Sequence, residues 1–157
     1  MIKVLFVCLG NICRSPMAEA IFQDMINKAG LGDQIMVDSA GTGSWHRGEP
    51  AHPGTRRVLA RHGIDYTGRA RQIHRQDLSE YDYILAMDYD NLSGIMRIAD
   101  GSPTEIKPFL SYAVAAGTIH EQEVPDPYYD GRFDAVYDLV YKGADALLDH
   151  IRQQHNL

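Results

Sequence analysis

One stretch constrains this chain more than any other: Val4-Leu5-Phe6-Val7-Cys8-Leu9-Gly10-Asn11-Ile12-Cys13-Arg14-Ser15-Pro16. Its apolar run reads as a buried strand, and a short glycine-containing loop carries the chain onward. Ser15 and Pro16 then predict the start of a helix running to Ala29. Serine is a preferred cap, and proline suits the first helical position because its missing N–H needs no partner there. Strand, tight loop and helix in that order aim several backbone N–H groups and the positive end of a helix dipole at one small space. An anion fits such a space.

Two residues add reactivity to that cradle. Cys8 stands at its mouth, where the same N–H groups favour thiolate over thiol. Arg14 offers a planar fork of donors that matches two oxygens of a phosphate. A thiolate beneath a phosphate held by an arginine and a ring of amides is arranged for in-line attack on phosphorus, giving a phosphocysteine. Leu9, Gly10, Asn11, Ile12 and Cys13 form the cradle, and Ser15 can donate its hydroxyl to the sulfur. Taken alone, the Cys-x5-Arg spacing fits an inert cysteine ending a core strand, since free cysteine is among the most buried residue types. The strand before it and the helix after it favour the reactive reading.

The rest of the chain supplies a frame. Strands are expected at 34–38, 82–87 and 104–107, the first breaking at Ser39 and the last stopping at Pro108, with helices at 53–62 and 90–98. A long amphipathic helix is marked by Phe133, Val136, Tyr137, Val140, Ala144, Leu147, Leu148 and Ile151. Strands alternating with helices imply a doubly wound parallel α/β sheet, whose ligands sit beyond the carboxyl ends of the strands. With 157 residues, 45% of them hydrophobic and 23% charged, the chain is expected to be one soluble domain over 1–157. A net charge of −6 argues against nucleic acid. Only two cysteines, and no apolar run long enough to span a bilayer or serve as a signal peptide, point to a reducing, cytoplasmic setting.

A second constellation lies far downstream. A phosphate ester cleaves readily only if its leaving oxygen is protonated, so a general acid must reach Cys8. Asp126, in Val124-Pro125-Asp126-Pro127-Tyr128-Tyr129, is the candidate, with prolines on both sides to stiffen its loop. Tyr128 and Tyr129 offer walls for an aromatic ester. Trp45, in a Gly43–Gly48 loop, is a large aromatic with little reason to sit there unless it packs as a loop anchor or binds a ligand.

Residues 7–20, Val7-Cys8-Leu9-Gly10-Asn11-Ile12-Cys13-Arg14-Ser15-Pro16-Met17-Ala18-Glu19-Ala20, resemble the signature of the low-molecular-weight protein tyrosine phosphatases. The resemblance continues through Asp38-Ser39-Ala40-Gly41-Thr42, Ala70-Arg71-Gln72-Ile73, Tyr83-Ile84-Leu85-Ala86-Met87-Asp88 and the Asp126 segment. It implies a phosphatase-I-like, four-stranded sheet in the order 2-1-3-4, with Cys8 as nucleophile, Asp126 as acid and then base, and Trp45 as an aromatic wall. It further implies that Asn11 and Ser39 form a supporting network behind the loop, and that neither metal nor cofactor is needed. A histidine often seen near the Ala-Arg-Gln segment is replaced here by Gly68.

Neighbouring functions differ from this one in single features. Arsenate reductases of this fold pass oxidation to further cysteines, which this chain lacks. Arginine phosphatases tend to carry threonine where Ile12 stands, and isoleucine favours a flat aromatic ester. A non-catalytic flavodoxin-like phosphate binder would not need Cys8 or Asp126. The Cys8-x4-Cys13 and His46-x5-His52 pairs stand too far apart for a zinc finger. Expected partners are a tyrosine-phosphorylated protein, with a bacterial tyrosine kinase as one candidate, and the chain is expected to be a monomer or weak homodimer. Cys13 is either a packing residue at the helix start or the partner of a protective disulfide with Cys8.

Overall fold

The computed structural model describes residues 1–99, 101 and 103–157. Four strands, β1 (Ile2–Cys8), β2 (Ile35–Gly41), β3 (Tyr83–Ala86) and β4 (Glu105–Pro108), form one sheet in the order β2-β1-β3-β4. Every neighbouring pair is parallel, with Cys8 opposite Gly41 and Val7 opposite Ala86. Seven helices connect and follow them among the described residues: α1 (Arg14–Lys28), α2 (Pro53–Arg61), α3 (Asp77–Glu80), α4 (Tyr89–Met96), α5 (Ser111–Ala115), α6 (Pro127–Asp130) and α7 (Phe133–His155).

Alternation along β1 divides the core. Val4, Phe6 and Cys8 face α1, α5 and α7, where Phe6 meets Phe22 and Phe109 edge-on at 5.7 and 5.2 Å. Leu5 and Val7 face the other way, onto Ile73, Leu78, Ile84 and Ile95. Both faces of the central strand are covered, as parallel sheets require. Because all four strands run the same way, the Cys8 end of β1 opens at the carboxyl edge of the sheet, between its neighbours β2 and β3.

Three local expectations needed correction. Helix α1 begins at Arg14, so Ser15 does not cap it; the capping position is Cys13, without a side-chain hydrogen bond. Strand β2 does not break at Ser39 but continues to Gly41, because β1 offers hydrogen-bonding partners along its full length. Pro108 is the last residue of β4 and not the residue that stops it, which an edge strand tolerates.

Candidate active site

The loop between β1 and α1 is pinned from below before any chemistry is considered. Thr42 donates its N–H to the Cys8 carbonyl at 2.9 Å, Gly43 to Leu9 at 2.9 Å, and His52 to Ile12 at 2.7 Å. The backbone of β2 approaches so closely that a Cβ on Gly41 would lie 2.7 Å from the Leu9 carbonyl oxygen. Asn11 is held at φ +58°, a left-handed conformation that costs a non-glycine residue about 1–3 kcal/mol. Its side chain stabilises that turn: Nδ2 donates to Ser15 Oγ at 2.8 Å and Ser39 Oγ at 2.9 Å, while Oδ1 accepts from the Arg71 N–H at 3.0 Å.

The turn presents donors to sulfur. Cys8 Sγ accepts from the Asn11 N–H at 3.2 Å and lies 3.0 Å from Ser15 Oγ. Ser15 Oγ already accepts from Asn11 at 2.8 Å, and of the two acceptors within reach of its own proton the sulfur at 3.0 Å is nearer than the Ala40 carbonyl at 3.5 Å. Asn11 and Ser15 are therefore buried behind the loop, where Ser15 Oγ reaches the sulfur and the Asn11 side chain bridges Ser15 and Ser39. Ser39 is buried with them and accepts from Asn11 Nδ2.

Arg14 is the electrostatic centre. Its Nη1 donates to Asp88 Oδ2 at 2.7 Å and to the Val124 carbonyl at 3.0 Å, and its Nη2 lies 3.6 Å from Asp126 Oδ2. Burial opposes its charge, but Cys8, Asp88 and Asp126 outweigh that and hold the guanidinium above its ordinary value. The Asp126 loop is fastened to the sheet by the Val124 N–H on the Met87 carbonyl at 2.8 Å. Asp126 caps the short helix α6 through the Tyr128 N–H at 3.0 Å while its other carboxyl oxygen faces Arg14. Asp88 was not singled out for a role from the sequence. The available signal was an aspartate at the carboxyl end of β3, capping α4 beside the strand that carries Cys8.

Above this floor is a cleft of about 280 Å³, into which Leu9, Gly10, Ile12 and Cys13 project from the loop. Trp45 lines it, its ring folded over Gly43, as do Tyr128 and Tyr129, whose rings pack edge-on at 5.3 Å. His46, considered from the sequence only as half of a metal-ligand spacing, also lines the cleft. Its ring lies against Gly10, where a Cβ would come within 2.9 Å, and its Nδ1 lies 2.9 Å from Glu49 Oε2. Tyr128 packs at 5.8 Å against His52, whose Nδ1 accepts from the Gly54 N–H at the start of α2. Burial, helped by Arg57, lowers the His52 pKa and so favours the neutral ring that this cap needs.

Cys13 is different in kind from Cys8. It packs with Ile12 and Ala70, and burial, together with the charges of Cys8 and Asp126, pushes its thiol up to about 12. Both cysteines are free. No group of three or more His, Cys, Asp or Glu side chains able to hold a metal ion stands together among the described residues.

A buried cysteine loop facing an arginine and a distant aspartate is matched by known proteins over the whole chain. The family model for low molecular weight phosphotyrosine protein phosphatase matches residues 3–157. The low molecular weight protein-tyrosine-phosphatase YfkJ of Bacillus subtilis is 48% identical over 159 residues, covering 100% of both chains. Its crystal structure gives a TM-score of 0.93, covering 99% of this chain and 97% of that one. A Drosophila arginine phosphatase, DARP, is also similar in structure, at 35% identity and a TM-score of 0.88, covering 96% of this chain and 98% of that one. With the fold, the loop and the full-length match in agreement, this chain belongs to the low molecular weight phosphotyrosine protein phosphatase family.

Proposed function

We propose that this chain hydrolyses phosphotyrosine in proteins through a phosphocysteine, acting as one domain over residues 1–157 and without a metal or cofactor. Cys8 Sγ attacks phosphorus as the bond to the phenolic oxygen breaks, and Asp126 gives its proton to that departing oxygen. Asp126, now a carboxylate, takes a proton from water as the water attacks phosphorus and the S–P bond breaks, releasing phosphate and the thiolate. Arg14 and the amides of Leu9, Gly10, Ile12 and Cys13 hold the equatorial oxygens, where charge is concentrated in the transition state. The observation that carries this reading is the convergence of Cys8 and Asp126 on one cleft, with the Arg14 guanidinium lying 3.6 Å from the Asp126 carboxylate.

The aromatic ester is favoured by Ile12 on the floor and by Trp45, Tyr128 and Tyr129 at the sides, which suit a flat ring. The likeness to DARP gives a second reading, phosphoarginine, its competitor for the same chemistry. Metal-free turnover of phosphotyrosine and phosphoarginine peptides, side by side with Cys8→Ser and Asp126→Ala, separates them. Preference for phosphotyrosine, lost in the first variant and strongly reduced in the second, supports the primary reading. Preference for phosphoarginine leaves the chemistry standing and overturns the substrate. The protein substrate, a tyrosine kinase among the candidates, is met in the cytoplasm by a monomer or weak homodimer, without nucleic acid or membrane insertion. Among the described residues no helix is long and apolar enough to cross a membrane.

A further inference from the structure

Behind the cysteine loop, a line of hydrogen bonds continues past the residues that the cleft chemistry uses. Ser39 Oγ donates to Glu19 Oε1 at 2.6 Å, and the same oxygen accepts from Tyr66 Oη at 2.9 Å. Glu19 comes from α1, Ser39 from β2 and Tyr66 from the segment between α2 and α3, so three parts of the chain meet at one carboxylate. Gly68 makes room for the phenol: a Cβ there would lie 2.3 Å from Tyr66 Oη.

The directions of these bonds follow from one another. A Glu19 oxygen that only accepts obliges Ser39 to give its proton to it, leaving Ser39 able only to accept from Asn11. Asn11 Nδ2 then spends its two protons on Ser39 and Ser15, and its Oδ1 must face the Arg71 N–H, as observed. Ser15, having accepted from Asn11, has its proton left for Cys8 Sγ. Were Glu19 to gain a proton, it could donate to Ser39, whose own proton would then be released to turn elsewhere, and the bond directions that fix the Asn11 amide would no longer be imposed. We propose that Tyr66, admitted by Gly68, is a positioning residue of the reaction: it holds Glu19 as an acceptor and thereby fixes the Asn11 turn that aims donors at the nucleophile.

The surroundings of Glu19 make this hydrogen bond consequential. Burial pushes its carboxyl up; Ser39 and Tyr66 push it down; Asp38 on β2 raises it and Arg71 lowers it. Loss of the Tyr66 hydroxyl removes one of the influences that keep Glu19 ionised, so its titration moves toward neutral pH. The proposal rests on Cys8 being the nucleophile and needs a test that separates the two. The test is Tyr66→Phe, measured as kcat and KM on p-nitrophenyl phosphate across pH, with the pH midpoint of Cys8 alkylation by iodoacetamide read independently of turnover. The expected result is a fall in kcat of about tenfold, the scale of one hydrogen bond to a charged group, with KM changed by less than about twofold. The acid limb of kcat/KM and the alkylation midpoint both move to higher pH. Gly68→Ala should reproduce these shifts, and in a Tyr66→Ala background it should add nothing further, since the clash partner is gone. An unchanged pH profile and alkylation midpoint in Tyr66→Phe, even with a lower melting temperature, would overturn the proposal by reducing Tyr66 to packing. Turnover surviving in Cys8→Ser would instead overturn the reading of Cys8 on which the proposal stands.

Discussion

The floor and the sides of the cleft are built by opposite rules. Cys8, Cys13 and Arg14 on the floor are 2–4% exposed and are held by backbone hydrogen bonds from several elements. Trp45 and Tyr129 at the sides are 71% and 79% exposed and rest on little beyond Gly43 and Tyr128. Phosphoryl transfer rewards the first arrangement, because a charge that appears briefly is stabilised best by groups that need not move to meet it. Recognition of varied protein surfaces tolerates the second. On the proposed chemistry, rate belongs to the floor and selectivity to the sides, and substitutions in each should separate kcat from KM.

The largest effect belongs to the sulfur. Cys8→Ser should lower kcat by at least about 10⁴, with phosphate still retained by Arg14 and the loop amides. Bound phosphate, detected by calorimetry or phosphorus NMR, checks that the floor has kept its shape. Asp126→Ala comes next. A loss of about 10²–10⁴ in kcat is expected for phenyl phosphate, shrinking as the leaving group becomes more acidic and needs its proton less. A series of substituted phenyl phosphates reads this directly; a penalty independent of leaving-group pKa would remove Asp126 as general acid. Asp88→Asn is the subtler test of the floor. Asparagine can still accept from the Asn91 N–H that caps α4, but it no longer neutralises Arg14. A fall of about tenfold in kcat/KM without loss of melting temperature is expected.

How much of this was legible beforehand depended on whether neighbours in space were also neighbours in sequence. Cys8, Arg14 and the strand-loop-helix around them are local, and so were readable; Asp126 was readable because its two prolines announce a stiff turn. The polar support was not. Asp88, Glu19 and Tyr66 meet their partners only through tertiary contacts spanning 74, 20 and 47 positions. Ser39-Ala40-Gly41 looked like a turn because serine and glycine favour turns, yet β1 pairs with them, and Gly41 is needed where the Leu9 carbonyl approaches. Ser15 was readable in two ways, as a cap and as a neighbour of the sulfur, and only the second holds: α1 starts one residue earlier, and Ser15 Oγ lies 3.0 Å from Cys8 Sγ. Gly68 looked like a gap in the network, and the space it leaves is taken by Tyr66.

Substitutions at the sides should move KM. Trp45→Ala and Tyr129→Ala are each expected to raise KM for a phosphotyrosine peptide about three- to tenfold, the scale of one aromatic contact, with kcat nearly unchanged. Inorganic phosphate, which has no ring, should inhibit both variants as it inhibits the wild type. A matching fall in kcat would mean that the aromatic side chains help orient the phosphoryl group, and the division between floor and sides would fail.

The last effect is one of timing, leaves turnover of the reduced enzyme untouched, and concerns the two cysteines of the floor. If peroxide converts Cys8 to a sulfenic acid, Cys13 thiolate can attack that sulfur, forming a disulfide as hydroxide leaves and is protonated to water. The Cys13 thiol, raised to about 12 by burial and by the negative groups beside it, supplies little thiolate near neutrality. Below that value its thiolate fraction grows about tenfold per pH unit, so capture should accelerate about 100-fold between roughly pH 7 and pH 9. Oxidation of Cys8 to the neutral sulfenic acid also removes one of the charges that raise Cys13, which lowers the barrier once it is needed. With peroxide in enough excess to carry an uncaptured sulfenic acid on to the irreversible sulfinic acid, the fraction that dithiothreitol restores is therefore expected to rise with pH in the wild type and to stay near zero in Cys13→Ser. Equal recovery in the two proteins at every pH would leave Cys13 as a packing residue at the helix start, its raised pKa a consequence of burial alone.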